Sequence, residues 1–469
     1  MSLKKKPNLD SVTTVNEDGS HYILHPADVS GRFTVARRIF AVVLLVIYVA
    51  LPWITINDAP AVFLDLAQRK FHLFGLTLFP QDLWVLFFLI TGTGFALFFI
   101  TALLGRLWCG WACPYTVFLE HVFRRIERFI EGDAPARQKL DAAPWRFPKI
   151  WRRLLKHSLF IVVAALLAHV FLSYFVSLER LYDLVKGNPL DHLTAFGTVA
   201  FLTAAFYFCF AHFREQFCIM VCPYGRLQSA LTDDDTVIIG YDEGRGEPRG
   251  KPRDPHTGDC IDCHRCVNVC PTGIDIRNGL QLECIGCAAC IDACDDIMRK
   301  LDRPTGLVRY DSLNGLTGLK RRILRPRIFL YAVLGCLGLG ALTVAAVKKA
   351  APYSVTSSRI QGAPFYVDET TVRNNYQLLL TNKRNQEATF VISLDDPPVG
   401  YELSGAGQEI IVAPQSDLTR PAIILVPHEF YQGPCEIKIK VAGEPGDVEI
   451  SHKIRFVGPN PAALKKSAQ

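Results

Sequence analysis

The chain has 469 residues and 15 cysteines; half of it is hydrophobic although a fifth is charged, and its net charge is +6. The apolar residues are segregated into long runs, which excludes an ordinary soluble domain. The basic residues flank those runs, so the positive charge reads as membrane topology and not as a nucleic-acid-binding surface.

Residues 1–36 form a polar tail, and no cleavable signal peptide is expected because a long polar stretch precedes the first apolar run. Five runs follow: Ile39–Thr55, Leu83–Leu104, Ser158–Leu178, Ala195–Phe213 and Ile328–Val347. Each approaches the ~20 helical residues that cross a bilayer. The first is the shortest and carries Pro52 near its end. For any one run a buried core helix is the lesser alternative; five together predict five transmembrane α-helices. Orientation follows from Lys and Arg. The tail carries Lys4, Lys5, Lys6, Arg32, Arg37 and Arg38, and Gly105–His157 is crowded with cations from Arg106 to Lys156. A further basic run, Lys320 to Arg327, precedes the fifth span. Asn57–Gln81 offers only Arg69 and Lys70, and Glu179–Leu193 only Arg180 and Lys186. The tail and the loop after the second span are therefore expected in the cytoplasm, with the C-terminal part outside. Lys348 and Lys349 oppose that assignment weakly.

A short motif closes the second and fourth spans. The second ends in Trp108-Cys109-Gly-Trp-Ala-Cys113-Pro114-Tyr115, the fourth in Phe217-Cys218-Ile-Met-Val-Cys222-Pro223-Tyr224. Residues 37–231 thus read as a duplicated unit with four spans and two CxxxCP motifs. Cysteines four apart face one side of a helix. Two such pairs, Cys109, Cys113, Cys218 and Cys222, can make a soft sulfur site, and soft thiolates select Cu(I). A reversible dithiol is equally compatible with the spacing, and a proline that merely ends a helix is the bland alternative. Cys209 can extend such a path, although a lone cysteine in an apolar helix is usually a small hydrophobe. His121 and His212 are candidate nitrogen donors, whereas His157 and His169 read as ordinary packed or interfacial residues. No facing histidine pair of the kind that holds haem is read from the sequence.

Residues 232–326 hold the densest signal. Cys260, Cys263, Cys266 and Cys270 form one C-x2-C-x2-C-x3-C run; Cys284, Cys287, Cys290 and Cys294 form another. This is the bacterial ferredoxin run, in which the fourth cysteine of each copy ligates the other cluster. Cys260, Cys263, Cys266 and Cys294 are expected on one [4Fe-4S] cluster, and Cys284, Cys287, Cys290 and Cys270 on the second. Structural zinc favours separated C-x2-C pairs or Cys/His mixtures and fits less well. Asp295 stands where a proline usually follows the last cysteine, with every ligand intact. A cytoplasmic setting suits these thiolates because it is reducing. The fifth span, residues 327–348, leads into residues 349–469. There Tyr376–Thr381, Ala388–Leu394, Glu409–Val412, Ala422–Val426 and Cys435–Val441 predict short strands of a β-sandwich. Cys435 is its one cysteine, so it holds no internal disulfide. No G-x-G-x-x-G segment is present, so NADH oxidation by this chain is not expected.

This combination resembles the cytochrome c oxidase accessory protein family known as CcoG or FixG, from about Tyr22 to Phe456. The resemblance implies a multi-pass bacterial inner-membrane protein with a cytoplasmic two-cluster ferredoxin domain and a periplasmic immunoglobulin-like β-sandwich. It further implies a part in assembling a cbb-type oxidase through reduction of Cu(II) to Cu(I), a cupric reductase activity. Cys109, Cys113, Cys218 and Cys222 are then the candidate copper ligands. Copper is substrate or transient ligand beside the two [4Fe-4S] clusters. The expected partners are an electron donor from cytoplasm or membrane, copper-handling proteins, oxidase subunits and the lipid bilayer. Two other readings are a quinol-linked relay subunit and a non-catalytic, redox-sensing assembly factor.

Overall fold

The structure, a computed structural model, describes residues 23–56, 59–79, 83–252, 256–281, 283–349, 351–360, 362–384, 386–405 and 408–461. Most of the predicted tail, with Lys4, Lys5 and Lys6, lies outside the described residues, as does the C-terminal end. The chain divides into two compact units. One contains the apolar helices and the cysteine-rich region; the other comprises residues 344–469 with 56–59 and 75–78.

Five long apolar helices run over Arg32–Ala50, Leu83–Leu104, Phe147–Leu172, Leu193–Tyr207 and Pro326–Lys349. Their outer faces display large apolar side chains such as Ile39, Val46, Phe201 and Leu337, each more than half exposed. Such a surface is unfavourable in water. The first and third helices depart furthest from the sequence reading. The first helix begins at Arg32, and the third begins at Phe147, well before Ser158, and ends at Leu172, before Leu178. Pro148 sits in the third helix's first turn, where its missing N–H costs nothing. Two of the cations that lower the local hydropathy are buried and partnered: Lys149 donates to the Asp141 and Ala143 carbonyls at 2.9 and 2.6 Å, and Lys156 pairs with Glu131 at 3.1 Å. Hydropathy alone therefore starts this helix late.

The second and fifth helices cross at Gly92 and Gly338, where a Cβ on Gly338 would lie 3.2 Å from the Gly92 Cα. Small residues of this kind let two apolar helices approach closely. The basic run before the fifth helix serves the end of the second: Arg321 and Arg325 donate to the Leu103 and Ala102 carbonyls at 3.1 and 3.0 Å. Cations there satisfy orphan carbonyls and suit the helix dipole.

The cysteine-rich region is bracketed by strands Ile238–Tyr241 and Val308–Asp311, paired antiparallel. It is tied to the first apolar helix through Asp292, which lies between Cys290 and Cys294. The Asp292 carboxylate accepts from Phe33 N at 3.2 Å and from Thr34 N and Oγ1, both at 2.7 Å. An acceptor from elsewhere in the fold thus supplies the N-terminal cap that the helix lacks locally. Gly31 permits the approach, since a Cβ there would sit 2.3 Å from the Asp292 Cγ.

The second unit is a two-sheet β-sandwich. One sheet orders strands Glu402–Ser404, Asp417–Pro427, Thr371–Asn382 and Tyr353–Arg359, with Tyr366–Val367 also pairing with Thr371–Asn382. The other orders Ile410–Val412, Ala388–Asp395, Cys435–Glu444 and Val448–Phe456. Alternate residues such as Leu378, Leu380, Phe390, Ile424, Ile437 and Phe456 fill the space between the sheets, as the period of two requires.

Replacing Asp292 by Ala removes three hydrogen bonds from the first helix's N-terminus. Loss of about 1–2 kcal/mol is expected, read as a lower melting temperature of the detergent-solubilised protein. An unchanged melting temperature would show that the cap is not structural.

Candidate functional site

Both cysteine loops of the ferredoxin-like region fold the same way. Asp262 and His264 in the first loop have φ of 53° each; their counterparts Gly286 and Ala288 have 66° and 62°. Paired left-handed residues curl each C-x2-C-x2-C run around its own centre, so repeated sequence gives repeated backbone. One cavity is lined by Cys260, Cys263, Cys266 and Cys294, and a second by Cys266, Cys270, Cys284, Cys287 and Cys290. Interleaving is therefore present in the fold: Cys294 and Cys270 each stand with the other repeat. Burial pushes the thiols of Cys266, Cys284 and Cys294 up to about 12. Among the described residues, no three His, Cys, Asp or Glu side chains are drawn up around a single ion. Thiols spread around a cavity suit a multi-iron cluster better than one metal ion, and the soft sulfur donor set fits iron–sulfur chemistry. At Asp295, which replaces the usual proline, the Ala289–Lys300 helix runs on unbroken and the carboxylate accepts from Gly306 N at 2.8 Å.

The CxxxCP motifs are not single helical turns. Cys109 lies in the short helix Leu107–Trp111, whereas Cys113 is extended and caps the next helix, which starts at Pro114. Cys218 lies in the π-helical turn Phe217–Val221, and Cys222 is extended before the helix Pro223–Leu231. The expectation that each cysteine pair shares one helix face is corrected here. The reason is local: a residue that precedes proline is driven out of the α region.

The two motifs nevertheless come together. Each is preceded by a left-handed residue four positions before its first cysteine, Gly105 at φ 58° and Arg214 at φ 48°. Tyr115 of the first motif donates to the Cys209 and Arg214 carbonyls at 2.9 and 2.6 Å; Tyr224 of the second shares a 2.7 Å hydrogen bond with Thr101. Each tyrosine thus braces the helix that leads to the sister motif. The Cys109 thiol donates to Gln228 Oε1 at 3.2 Å, across the repeat. Cys109 and Cys218 are pushed up to about 12, first by burial and then by the neighbouring cysteines, including Cys113 and Cys222 for both. Cys109 and Cys218 thus each lie near Cys113 and Cys222, although among the described residues no three of these thiols are set around a single ion.

That neighbourhood abuts the second ferredoxin loop. A Cβ on Gly110 would lie 2.6 Å from the Ile285 carbonyl oxygen and 2.8 Å from the Cys287 Cα. Conversely, a Cβ on Gly286 would lie 3.0 Å from the Arg106 carbonyl oxygen. Cys109 packs against the buried group that contains Ile285, Cys287 and Ala289. The Trp111 indole donates to the Tyr310 hydroxyl at 3.2 Å, and that hydroxyl donates to the Gly286 carbonyl at 2.6 Å. Backbone therefore meets backbone between motif and loop.

The histidines divide. His121 lines a separate arginine-rich cavity and not the cysteine group. His157 and His212 do face each other, rings nearly parallel with centroids 6.3 Å apart, a pairing that the sequence reading missed. They come from different helices, 55 positions apart in number, and only the packing of the third and fourth helices joins them. His169 bonds within its own helix, to the Ala165 carbonyl. Sequence reasoning also missed Gln228, Gly110, Asp292 and Tyr310. Of these, only Gly110 carries a local signal, as a glycine inside a metal-type motif.

Two interleaved thiol cavities, five apolar helices and a β-sandwich define a dicluster ferredoxin built onto a bundle of apolar helices. Residues 213–313 match the family described as a 4Fe-4S dicluster domain, and residues 83–131 match a 4Fe-4S binding domain. Residues 343–459 match the IG-like fold at the C-terminal of FixG. Protein RdxA of Cereibacter sphaeroides is 37% identical over 426 residues, covering 84% of this chain and 89% of the relative. Nitrogen fixation protein FixG of Rhizobium meliloti is 33% identical over 454 residues, 86% of each chain. Protein RdxB of Cereibacter sphaeroides is 34% identical over 425 residues, 86% of this chain and 88% of the relative. The chain belongs to the CcoG/FixG family and is an iron–sulfur electron-transfer protein.

Gly110→Ala would force its methyl into the Ile285–Cys287 backbone, an overpacking worth about 1–3 kcal/mol. In the reduced protein, electron paramagnetic resonance should then show one cluster signal altered and the other preserved. Two unaltered signals would mean that the loops separate freely.

Proposed function

We propose that this protein is a cupric reductase serving the assembly of a cbb-type cytochrome oxidase. Its five apolar helices cross the inner membrane. The motif loops and ferredoxin region face the cytoplasm, and the β-sandwich lies in the periplasm. The domain limits are those of the sequence reading: tail 1–36, four-span region 37–231, ferredoxin region 232–326, fifth helix 327–348 and sandwich 349–469. Basic residues on the ferredoxin side support that orientation. Cys260, Cys263, Cys266 and Cys294 would hold one [4Fe-4S] cluster, and Cys270, Cys284, Cys287 and Cys290 the other. Bound clusters supply reversible storage of single electrons.

The observation that carries the reading is the contact of Gly110 with Cys287, which sets Cys109 beside the second cysteine loop. Cys109, Cys113, Cys218 and Cys222 take the copper ion as substrate. Cu(II) gains one electron and becomes Cu(I), and no bond to carbon, nitrogen or hydrogen is made or broken. No general acid or base is therefore required of the chain. Sulfur ligands favour the reduced ion, so the site itself biases the reaction forward. Glycine at positions 110 and 286 keeps side chains out of the gap that the electron must cross. The β-sandwich, with Cys435 as its only cysteine, is the docking module for oxidase subunits and copper-handling partners.

Chemically reduced protein mixed anaerobically with Cu(II) should bleach its cluster signals and yield Cu(I) in equal amount. Replacing Cys109 and Cys222 together by Ala should slow this at least about tenfold with iron content retained. Undiminished stoichiometry in that variant would remove the copper site; reduction of the clusters by a quinol would favour a relay role instead. Separately, a reporter enzyme that works only in the periplasm should be active when fused after Gln469. An inactive periplasmic reporter together with an active cytoplasmic one at the same position would overturn the five-span orientation.

A further inference from the structure

A cavity of about 90 Å³ lies among the N-terminal segment, the first apolar helix, the helix after the first motif, and the ferredoxin loops at Val269, Pro271 and Ala289. This is several times the ~10–15 Å³ that one water needs. Six guanidinium groups line it, those of Arg37, Arg38, Arg124, Arg125, Arg128 and Arg137, against the carboxylates of Asp28 and Glu120. Ion pairs account for three of the six: Arg124 with Glu120 and Glu215, Arg128 with Asp28, and Arg137 with Glu127. Arg37 uses its Nε on the Gly110 carbonyl at 2.9 Å. Arg38 and Arg125 have no carboxylate partner among the described residues.

Several of these groups hold unused donors. Nη2 of Arg37 and Nε of Arg38, Arg124 and Arg137 are buried without a hydrogen-bond partner, and Arg37, Arg124 and Arg137 are each more than nine-tenths buried. Buried donors are normally satisfied, and cations packed this closely call for a counter-charge. The local field shows in His121, held down to about 4 by burial and by Arg37.

We propose that this cavity binds a phosphate-bearing anion, drawn from an anionic phospholipid headgroup or from soluble phosphate. Guanidinium forks match phosphate oxygens in geometry and charge. Arg37 and Arg38 stand near the beginning of an apolar helix, the level at which basic pockets between helices meet lipid headgroups. The walls at Pro271 and Ala289 adjoin Cys270 and Cys290, so the anion also lies beside the second cysteine set. Binding itself does not depend on the copper reading.

The test uses the full chain in detergent, loaded with iron. Native mass spectrometry after exposure to phosphatidylglycerol reports a retained headgroup lipid, and calorimetric titration with inorganic phosphate reports a soluble ligand. One equivalent of either is expected, and whichever binds identifies the source. Arg38→Gln combined with Arg125→Gln should weaken binding at least about tenfold. Iron content and melting temperature should stay unchanged, because these two side chains have no ion-pair partner to lose. Failure of both probes to bind wild-type protein, or equal binding by the double variant, overturns the proposal.

Discussion

The architecture of the cysteine-bearing unit depends on one buried carboxylate. Glu127 is 1% exposed and receives Arg214 at 3.0 and 3.2 Å, Arg137 at 3.4 Å and Lys156 at 3.5 Å. Burial alone would raise its pKa, but the surrounding cations, Arg214 foremost, hold it well below the carboxylate range. These partners come from the third helix, the break before the second motif and the segment after the first. Arg124 adds a second junction, donating to Glu215 at 2.9 Å and to the Pro271 carbonyl at 3.2 Å. Buried ion pairs contribute little net stability, yet removing one partner costs about 3–5 kcal/mol because the others are stranded. What the network supplies is placement. It fixes Arg214, whose left-handed backbone turns the chain into the second motif.

Placement matters because the motif cysteines are brought together by reciprocity between two halves of the chain. Tyr115 reaches the approach to the second motif, and Tyr224 reaches the approach to the first. Neither half completes the thiol group alone. The same logic governs the ferredoxin region, where Cys270 and Cys294 each serve the opposite cavity. Two duplications are thus interleaved in one unit, and Gly110 against Cys287 is the seam between them.

Legibility in the sequence followed the range of the interaction. The eight ferredoxin cysteines could be grouped from spacing because each loop is local and its left-handed residues repeat. The five apolar helices were legible because about 20 apolar residues are needed to span a bilayer and little else uses such runs. The third helix was read short because Lys149, Arg153 and Lys156 lower its hydropathy, whereas the fold buries or half-buries them against Asp141, Glu131 and Glu127. Helical phase failed at both CxxxCP motifs, since it ignored what proline does to the residue before it. Asp292, which carries no local signal, caps a helix more than 250 positions away. His157 and His212 met only through packing. In the sandwich, strands Tyr353–Arg359 and Val448–Phe456 went unread; their apolar positions alternate with polar ones and lack an uninterrupted apolar run.

These constraints bear on how an electron carrier of this kind would work. A soluble ferredoxin must expose its cluster to meet a partner, and diffusion then limits specificity. Here one side of the second loop is closed by Gly110, Trp111 and Tyr310, while Cys263 of the first loop is exposed. That asymmetry gives the proposed path a direction: entry at the open first loop, exit through the closed second loop toward Cys109. Rigid contact at the exit requires glycine on both faces of the seam, and it requires the buried ion network to hold both motifs in register. A fixed relay of this sort depends on no moving part, so its rate would be set by the potentials of its centres and by how quickly the electron's donor and acceptor arrive.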